Sequence, residues 1–216
     1  METKLIIFDF DGTLADTVDL IVETNQESQR RMGHPVCNRE QIVATIGLPL
    51  REGILTMCPD VRPEDMPEWV RVYREVFERL RHEIVPALFP HVKETLADLH
   101  SQGYTLTVAS SRGRESLTDF LREMGIGQYI SYVLGAEDAA KAKPNPEPVL
   151  KTLRELSFKP EEALVVGDMP VDILMGLGAG AATCGVIYGN STPAALKAAG
   201  ANYVIDDFAQ LPTIIS

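Results

Sequence analysis

Short apolar runs alternating with amphipathic stretches set the rhythm of this chain. Residues 4–8 (Lys-Leu-Ile-Ile-Phe), 105–109 (Thr-Leu-Thr-Val-Ala), 132–134, 163–166 (Ala-Leu-Val-Val), 182–187 and 203–205 read as six short strands. Between most of them lie stretches of helical periodicity, at about 91–102, 114–124, 146–156, 171–179 and 193–199. Strands rich in Val, Leu and Ile that alternate with amphipathic helices predict an α/β fold. The expected architecture is a doubly wound parallel sheet, a Rossmann-like core.

Residues 17–86 break the rhythm. They carry helical periodicity and no convincing strand. Ile21, Thr24, Asn25 and Ser28 share one helix face; Trp69, Val72, Tyr73, Val76, Phe77 and Leu80 form an i, i+3, i+4, i+7 stripe on another. The stripe is expected to be packing core and not a ligand platform. Gly47-Leu48-Pro49 and residues 59–67 are turn-rich joints, and the return link over 84–90 (Ile-Val-Pro-Ala-Leu-Phe-Pro) is punctuated by proline. This pattern predicts an inserted all-helical cap over 17–86, with the α/β core formed by 1–16 and 87–216.

Composition narrows the function. With 216 residues, 45% of them hydrophobic, the chain can build one large domain, or a core with a smaller insertion. No apolar run approaches the roughly 20 residues of a bilayer span. Met1-Glu2-Thr3-Lys4 leads straight into a strand without a signal-peptide layout, so a cytoplasmic location is expected. The net charge of -11 argues against nucleic-acid and membrane partners. A chain this acidic that handles phosphate needs a cation and a placed Lys or Arg. Cys37, Cys58 and Cys184 are widely spaced, without a CxxC pair, and are expected to be reduced thiols. A monomer or a weak homodimer is expected.

The candidate chemistry falls at strand ends and helix starts. Asp9 and Asp11 follow the first strand, Ser110 and Ser111 the second. Lys143-Pro144-Asn145-Pro146 opens a helix, and Gly167-Asp168 ends the fourth strand with Asp172 four residues on. In a parallel sheet these positions share the carboxyl edge, where ligands bind. Each alone has a plain explanation: Asp is common in turns, most lysines are solvated, Ser110 suits a helix cap, and Asp168 and Asp172 suit a helix N-terminus. Their joint placement is what points to chemistry. An ionised Asp9 needs no base to act as a nucleophile. Clustered carboxylates would repel a phosphate dianion by about 4 kcal/mol per pair at 4 Å and an effective dielectric near 20. A hard divalent cation such as Mg²⁺, held by Asp9 and Asp168, reverses that sign. Lys143 would add positive charge at the transferring group and Ser110 a hydrogen bond, while Asp11 is placed to move a proton.

Taken together, Asp9-Phe10-Asp11-Gly12-Thr13-Leu14, Ser110, Lys143-Pro144-Asn145-Pro146 and Gly167-Asp168-Met169-Pro170-Val171-Asp172 resemble the four motifs of the haloacid dehalogenase-like hydrolase superfamily. The resemblance spans nearly the whole chain. It implies Asp9 as nucleophile and Asp11 as general acid and base. It also implies Mg²⁺ on Asp9, the Asp11 backbone carbonyl and Asp168, with Asp172 supporting the metal site and Ser110 and Lys143 holding the phosphoryl group. The helical insertion and Leu14-Ala15-Asp16-Thr17 resemble the phosphoglycolate phosphatase-like branch. Three positions depart from the common pattern: Met169 replaces a small hydroxyl residue, His91 a glycine, and Ser110-Ser111-Arg112 the frequent Thr-Asn.

The expected activity is therefore Mg²⁺-dependent hydrolysis of a small phosphorylated metabolite through an aspartyl-phosphate, with phosphoglycolate the leading substrate. Inorganic pyrophosphatase and a phosphomutase resembling the β-phosphoglucomutases are the alternatives. The insertion holds nine arginines and no lysine between 17 and 86; Arg51, just past Gly47-Leu48-Pro49-Leu50, is the candidate for reading the substrate, with a solvated helix face as the alternative. Dehalogenase members of the superfamily usually lack the second acid, present here as Asp11. Receiver domains, which also place Asp and Lys at a sheet edge, lack a helical insertion after the first strand.

Overall fold

In the computed structural model, residues 3–215 are described; Met1, Glu2 and Ser216, which fall in the predicted core ranges, lie outside the described residues. Six parallel strands form one sheet: β1 (Leu5–Phe8), β4 (Thr105–Ala109), β5 (Tyr132–Leu134), β6 (Ala163–Gly167), β7 (Ala182–Val186) and β8 (Tyr203–Ile205), in the order β5-β4-β1-β6-β7-β8. The predicted strands all exist, shifted by at most a residue at either end. β1 sits inside the sheet and all four of its residues are buried, as its unbroken apolar run requires.

Register sets the site. Phe8 pairs with both Val108 and Val166, so Asp9 emerges level with Ala109 and Gly167, one residue short of Ser110 and Asp168. Helices α5 (Val92–Ser101), α6 (Arg114–Glu123), α7 (Glu147–Leu156), α8 (Pro170–Gly178) and α9 (Pro193–Ala198) connect the strands, and α10 (Leu211–Ile215) closes the chain. One sheet face packs Ile6, Phe8, Leu106 and Val166 against Leu96, Leu117 and Phe208; the other packs Leu5, Ile7 and Val165 against Val149, Leu153 and Met175.

Between β1 and β4 run α1 (Val18–Arg31), α2 (Arg39–Val43), α3 (Leu50–Met57) and α4 (Met66–Leu80). In the α4 stripe, Trp69, Val72, Val76, Phe77 and Leu80 are buried. Trp69 belongs to a small cluster with Ile54, Cys58, Val61 and Met66. Val72, Val76, Phe77 and Leu80 instead join the cluster of the sheet face, so this helical layer is docked on the α/β layer.

The sequence reading predicts neither α10 nor a second, smaller ladder. β2 (Ala15–Asp16) and β3 (Ala87–Leu88) form a two-residue antiparallel ladder, Ala15 against Leu88 and Asp16 against Ala87. It ties together the two points where the chain leaves and rejoins the sheet layer. Two residues carry no periodicity, so no pattern could announce it. No helix among the described residues is long and apolar enough to cross a membrane.

Candidate active site

The loop after β1 is built around its glycine. Asp9 continues the strand, its N–H donating to the Val166 carbonyl at 2.8 Å. The chain then turns back, with the N–H groups of Leu14 and Ala15 donating to the Phe10 carbonyl. Gly12 has φ +82°, and a Cβ there would lie 2.3 Å from Asp168 Oδ2. Gly12 is thus required both for the turn and for the close approach of Asp168. Gly189 is equally constrained, since its Cβ would meet the Gly12 carbonyl oxygen at 2.3 Å.

Asp9, Asp168 and Asp172 converge from three elements. Their carboxylate oxygens lie within 4.8 Å of one another, and all three residues are buried. Lys143 Nζ donates to Asp9 Oδ1 at 2.6 Å and to Asp172 Oδ1 at 2.7 Å. The loop carrying this lysine is pinned by Glu147 at the start of α7, whose carboxylate accepts from the N–H groups of Ala140 and Lys141. Asp172, in the first turn of α8, accepts from Met169 N–H at 3.1 Å.

The electrostatics are unbalanced. The one ammonium reaches Asp9 and Asp172 but not Asp168, so full ionisation of the three carboxylates would leave two uncompensated negative charges in a buried site. Burial raises the Asp9 carboxyl to about 7, with Lys143 opposing and Asp172 and Asp11 adding. Burial likewise raises Asp168, with Asp172 and Asp9 adding, against the hydrogen bonds from Asn190. Burial alone would lower Lys143, but Asp172 and Asp9 hold it above the ordinary lysine range. A buried cluster of hard oxygen donors short of two positive charges is chemically suited to a divalent cation such as Mg²⁺.

The other expected residues lie close by. Ser110 is buried after β4; Ser110, Ser111 and Lys143 line a cavity of about 230 Å³ with Pro49 and Glu52. The Ser111 hydroxyl donates to the Gly47 carbonyl at 2.6 Å, tying this edge of the sheet to the turn before α3. Arg51 is exposed on α3 and does not line the cavity; its neighbour Glu52 does. Asp11 sits outside the three-carboxylate cluster. Its Oδ1 accepts from Thr17 Oγ1 at 2.6 Å and from Arg112 Nη2 at 2.5 Å, and its Oδ2 accepts from Arg112 Nε at 3.1 Å.

Sequence reasoning missed three of these partners. Asn190 donates to Asp168 Oδ2 through its backbone N–H at 2.7 Å and its side chain at 2.9 Å. It lies in Gly189-Asn190, just past an apolar strand, so the sheet-edge argument applied to the fifth predicted strand would have found it. Arg112 was noted as a departure from a pattern but given no role. Thr17 ends the Leu14-Ala15-Asp16-Thr17 stretch that resembles the phosphoglycolate phosphatase-like branch, but the resemblance gave it no contact with Asp11.

The sequence pattern of the haloacid dehalogenase-like hydrolases matches residues 6–186. The chain belongs to that family and is a hydrolase. Among similar proteins, "Probable phosphatase IndB" of Dickeya dadantii is 39% identical over 213 residues, covering 96% of this chain and 91% of that protein. A phosphoglycolate phosphatase of Vibrio vulnificus is 31% identical over 222 residues, covering 99% and 96%. Pyrophosphatase PpaX of Anoxybacillus flavithermus is 34% identical over 188 residues, covering 87% and 85%. A crystal structure described as a haloacid dehalogenase-like hydrolase from Bacteroides fragilis superposes with a TM-score of 0.92 at 28% identity, covering 97% of this chain and 100% of that one.

Proposed function

We propose that the protein is a Mg²⁺-dependent phosphatase that hydrolyses a small phosphomonoester through an aspartyl-phosphate on Asp9, with phosphoglycolate the leading substrate. One observation carries the reading: Asp9, Asp168 and Asp172 are gathered around a single lysine at the carboxyl edge of the sheet. Asp9 and Asp168 would hold the metal with the Asp11 backbone carbonyl, and Asp172 would hold Lys143. When bound, Mg²⁺ supplies charge neutralisation for the incoming phosphoryl group.

The residues then have distinct tasks. The Asp9 carboxylate attacks phosphorus, forming the Asp9 O–P bond as the ester P–O bond breaks. Asp11, as the acid, gives its proton to the departing oxygen. In the second half, Asp11 takes a proton from water as that water attacks phosphorus, releasing inorganic phosphate and restoring the Asp9 carboxylate. Lys143 and Ser110 stabilise charge on the phosphoryl oxygens. Residues 17–86 act as a cap over the site, with 1–16 and 87–216 as the core, and the cap keeps bulk water from the aspartyl-phosphate. The 230 Å³ cavity favours a small substrate.

The relatives named phosphoglycolate phosphatase support the substrate; the relative named pyrophosphatase supports inorganic pyrophosphate as the second reading. Phosphate release with Mg²⁺ from phosphoglycolate, pyrophosphate, hexose phosphates and nucleoside monophosphates tests both. Release from phosphoglycolate far above the others, abolished by EDTA, is expected. Isomerised hexose phosphate without phosphate release would overturn the hydrolytic reading.

A further inference from the structure

We propose that Arg112 is the positioning residue of this site, fixing the direction of the Asp11 carboxylate from a seat that helix α4 completes. The inference rests on the assignment of Asp11 as the proton-transferring group.

The guanidinium meets Asp11 edge to edge. Nε donates to Oδ2 at 3.1 Å and Nη2 to Oδ1 at 2.5 Å, the two-pronged geometry that only arginine can offer a carboxylate. The third side of the fork is also engaged, with Nη1 donating to Ser116 Oγ at 3.2 Å. Thr17 Oγ1 adds its own bond to Oδ1 at 2.6 Å. Oδ1 thus accepts two bonds and Oδ2 one, so the carboxyl is held in direction while Oδ2 keeps one lone pair through which a proton can pass.

Aromatic rings wall the guanidinium on several sides. Its central carbon lies 5.0 Å from the Phe120 ring centroid, 5.1 Å from that of Phe77 and 5.8 Å from that of Phe10. The Arg112 side chain is 8% exposed, as a surface ion pair would not be. Phe10 belongs to the loop of Asp9 and Asp11, Phe120 to α6 and Phe77 to α4. The seat thus spans both the sheet layer and the helical layer. Phe77 meets Phe120 edge-on, with centroids 6.2 Å apart and planes at 87°. Nearby, Arg81 at the end of α4 lies 4.7 Å from the same Phe120 ring and donates to both Glu123 oxygens at 3.0 Å. Lifting α4 away would remove one wall of the seat and open the Asp11–Arg112 pair to water. Docking of the helical layer and orientation of Asp11 are in this way one event.

A proton donor matters most when the departing oxygen is basic. Misplaced, it slows formation of the aspartyl-phosphate from an alkyl phosphate far more than from p-nitrophenyl phosphate, whose leaving group departs without help. The test is kcat/KM for phosphoglycolate and for p-nitrophenyl phosphate in wild type, Arg112→Lys, Arg112→Ala and Phe77→Ala. The expected loss in Arg112→Ala is about 100-fold for phosphoglycolate and under about tenfold for the aryl ester. Arg112→Lys should fall on the same side, since an ammonium cannot make the fork, and Phe77→Ala should shift the ratio in the same direction by less. Added guanidinium ion should recover part of the alkyl activity of Arg112→Ala. Equal losses on both esters, or an unchanged ratio in soluble Arg112→Lys and Phe77→Ala, would overturn the proposal. A wild-type protein that releases phosphate from neither ester would instead overturn the phosphomonoester reading beneath it.

Discussion

Lys143 Nζ lies 2.6 Å from Asp9 Oδ1, so the ammonium assigned to the phosphoryl group is also the counter-ion of the proposed nucleophile. Both groups are almost wholly removed from water, with side-chain exposures of 2% and 6%. Removing one partner of such a pair leaves a buried charge without compensation, which costs about 3–5 kcal/mol. Lys143→Met should therefore lower kcat by about 10²–10³ and destabilise the metal-free protein by about 3 kcal/mol. Denaturant midpoints with and without Mg²⁺ check the second effect, and a variant of full activity or unaltered stability would contradict the assignment.

Metal binding should be visible without any substrate. The cluster of Asp9, Asp168 and Asp172 is two positive charges short, and ligand binding to the native state raises its stability by mass action. Mg²⁺ at a hundredfold excess over its Kd should raise Tm by about 5–10 °C. EDTA should reverse the shift and Asp168→Asn should abolish it. Differential scanning fluorimetry reads all three.

Asn190 supports Asp168 through two hydrogen bonds to the same oxygen. Asn190→Ala removes only the side-chain bond and keeps the backbone one, so the fold should survive. Loss of an outer partner of this kind typically weakens metal binding by about 10–100-fold. A Mg²⁺ titration of activity should show a shift near the lower end of that range, with kcat at saturating metal changed far less.

The docked helical layer carries its own titratable link. Glu27 on α1 accepts from Arg31 at 2.7 Å and from Arg79 on α4. Burial alone would raise its carboxyl, but the bonds from Arg79 and Arg31 hold it below the ordinary glutamate range. The folded-state value is thus lower than the unfolded one. The stabilisation is present above the usual glutamate range and is lost as pH falls through the folded-state value. Because the pair is partly solvated, Glu27→Gln should cost only about 0.5–1 kcal/mol at pH 7. Urea midpoints of wild type and variant should converge as the pH drops below 4.5, the unperturbed glutamate value.

How far these features could be read from the residues differs by kind. The strands were legible because runs such as Leu5–Phe8 are buried on both faces and their hydrophobicity is continuous. The gathering of Asp9 and Asp168 was legible because a parallel sheet sends its strand ends to one edge, whereas Lys143, well past the end of β5, was marked by its Lys-Pro-Asn-Pro stretch before a helix. The β2–β3 ladder was not, since it is a product of chain closure and not of side-chain pattern. Arg112 was not, because its carboxylate partner Asp11 and the Phe77 wall come from far along the chain, and only Phe120, on the adjoining α6, is near it in sequence. Arg51 illustrates the converse: its position after a turn suggested substrate contact, yet a helix turns successive residues to different faces, and Glu52 is the one at the cavity.

The central claim is that Asp9 carries the phosphoryl group. Acid quenching during turnover of phosphoglycolate with Mg²⁺, followed by peptide mass spectrometry, tests it most directly. The account predicts the mass of one phosphoryl group on the peptide containing Asp9, lost on treatment with hydroxylamine and missing in Asp9→Asn, which should also release no phosphate. A phosphoryl group found on another residue, or undiminished phosphate release by a verified Asp9→Asn protein, would contradict it.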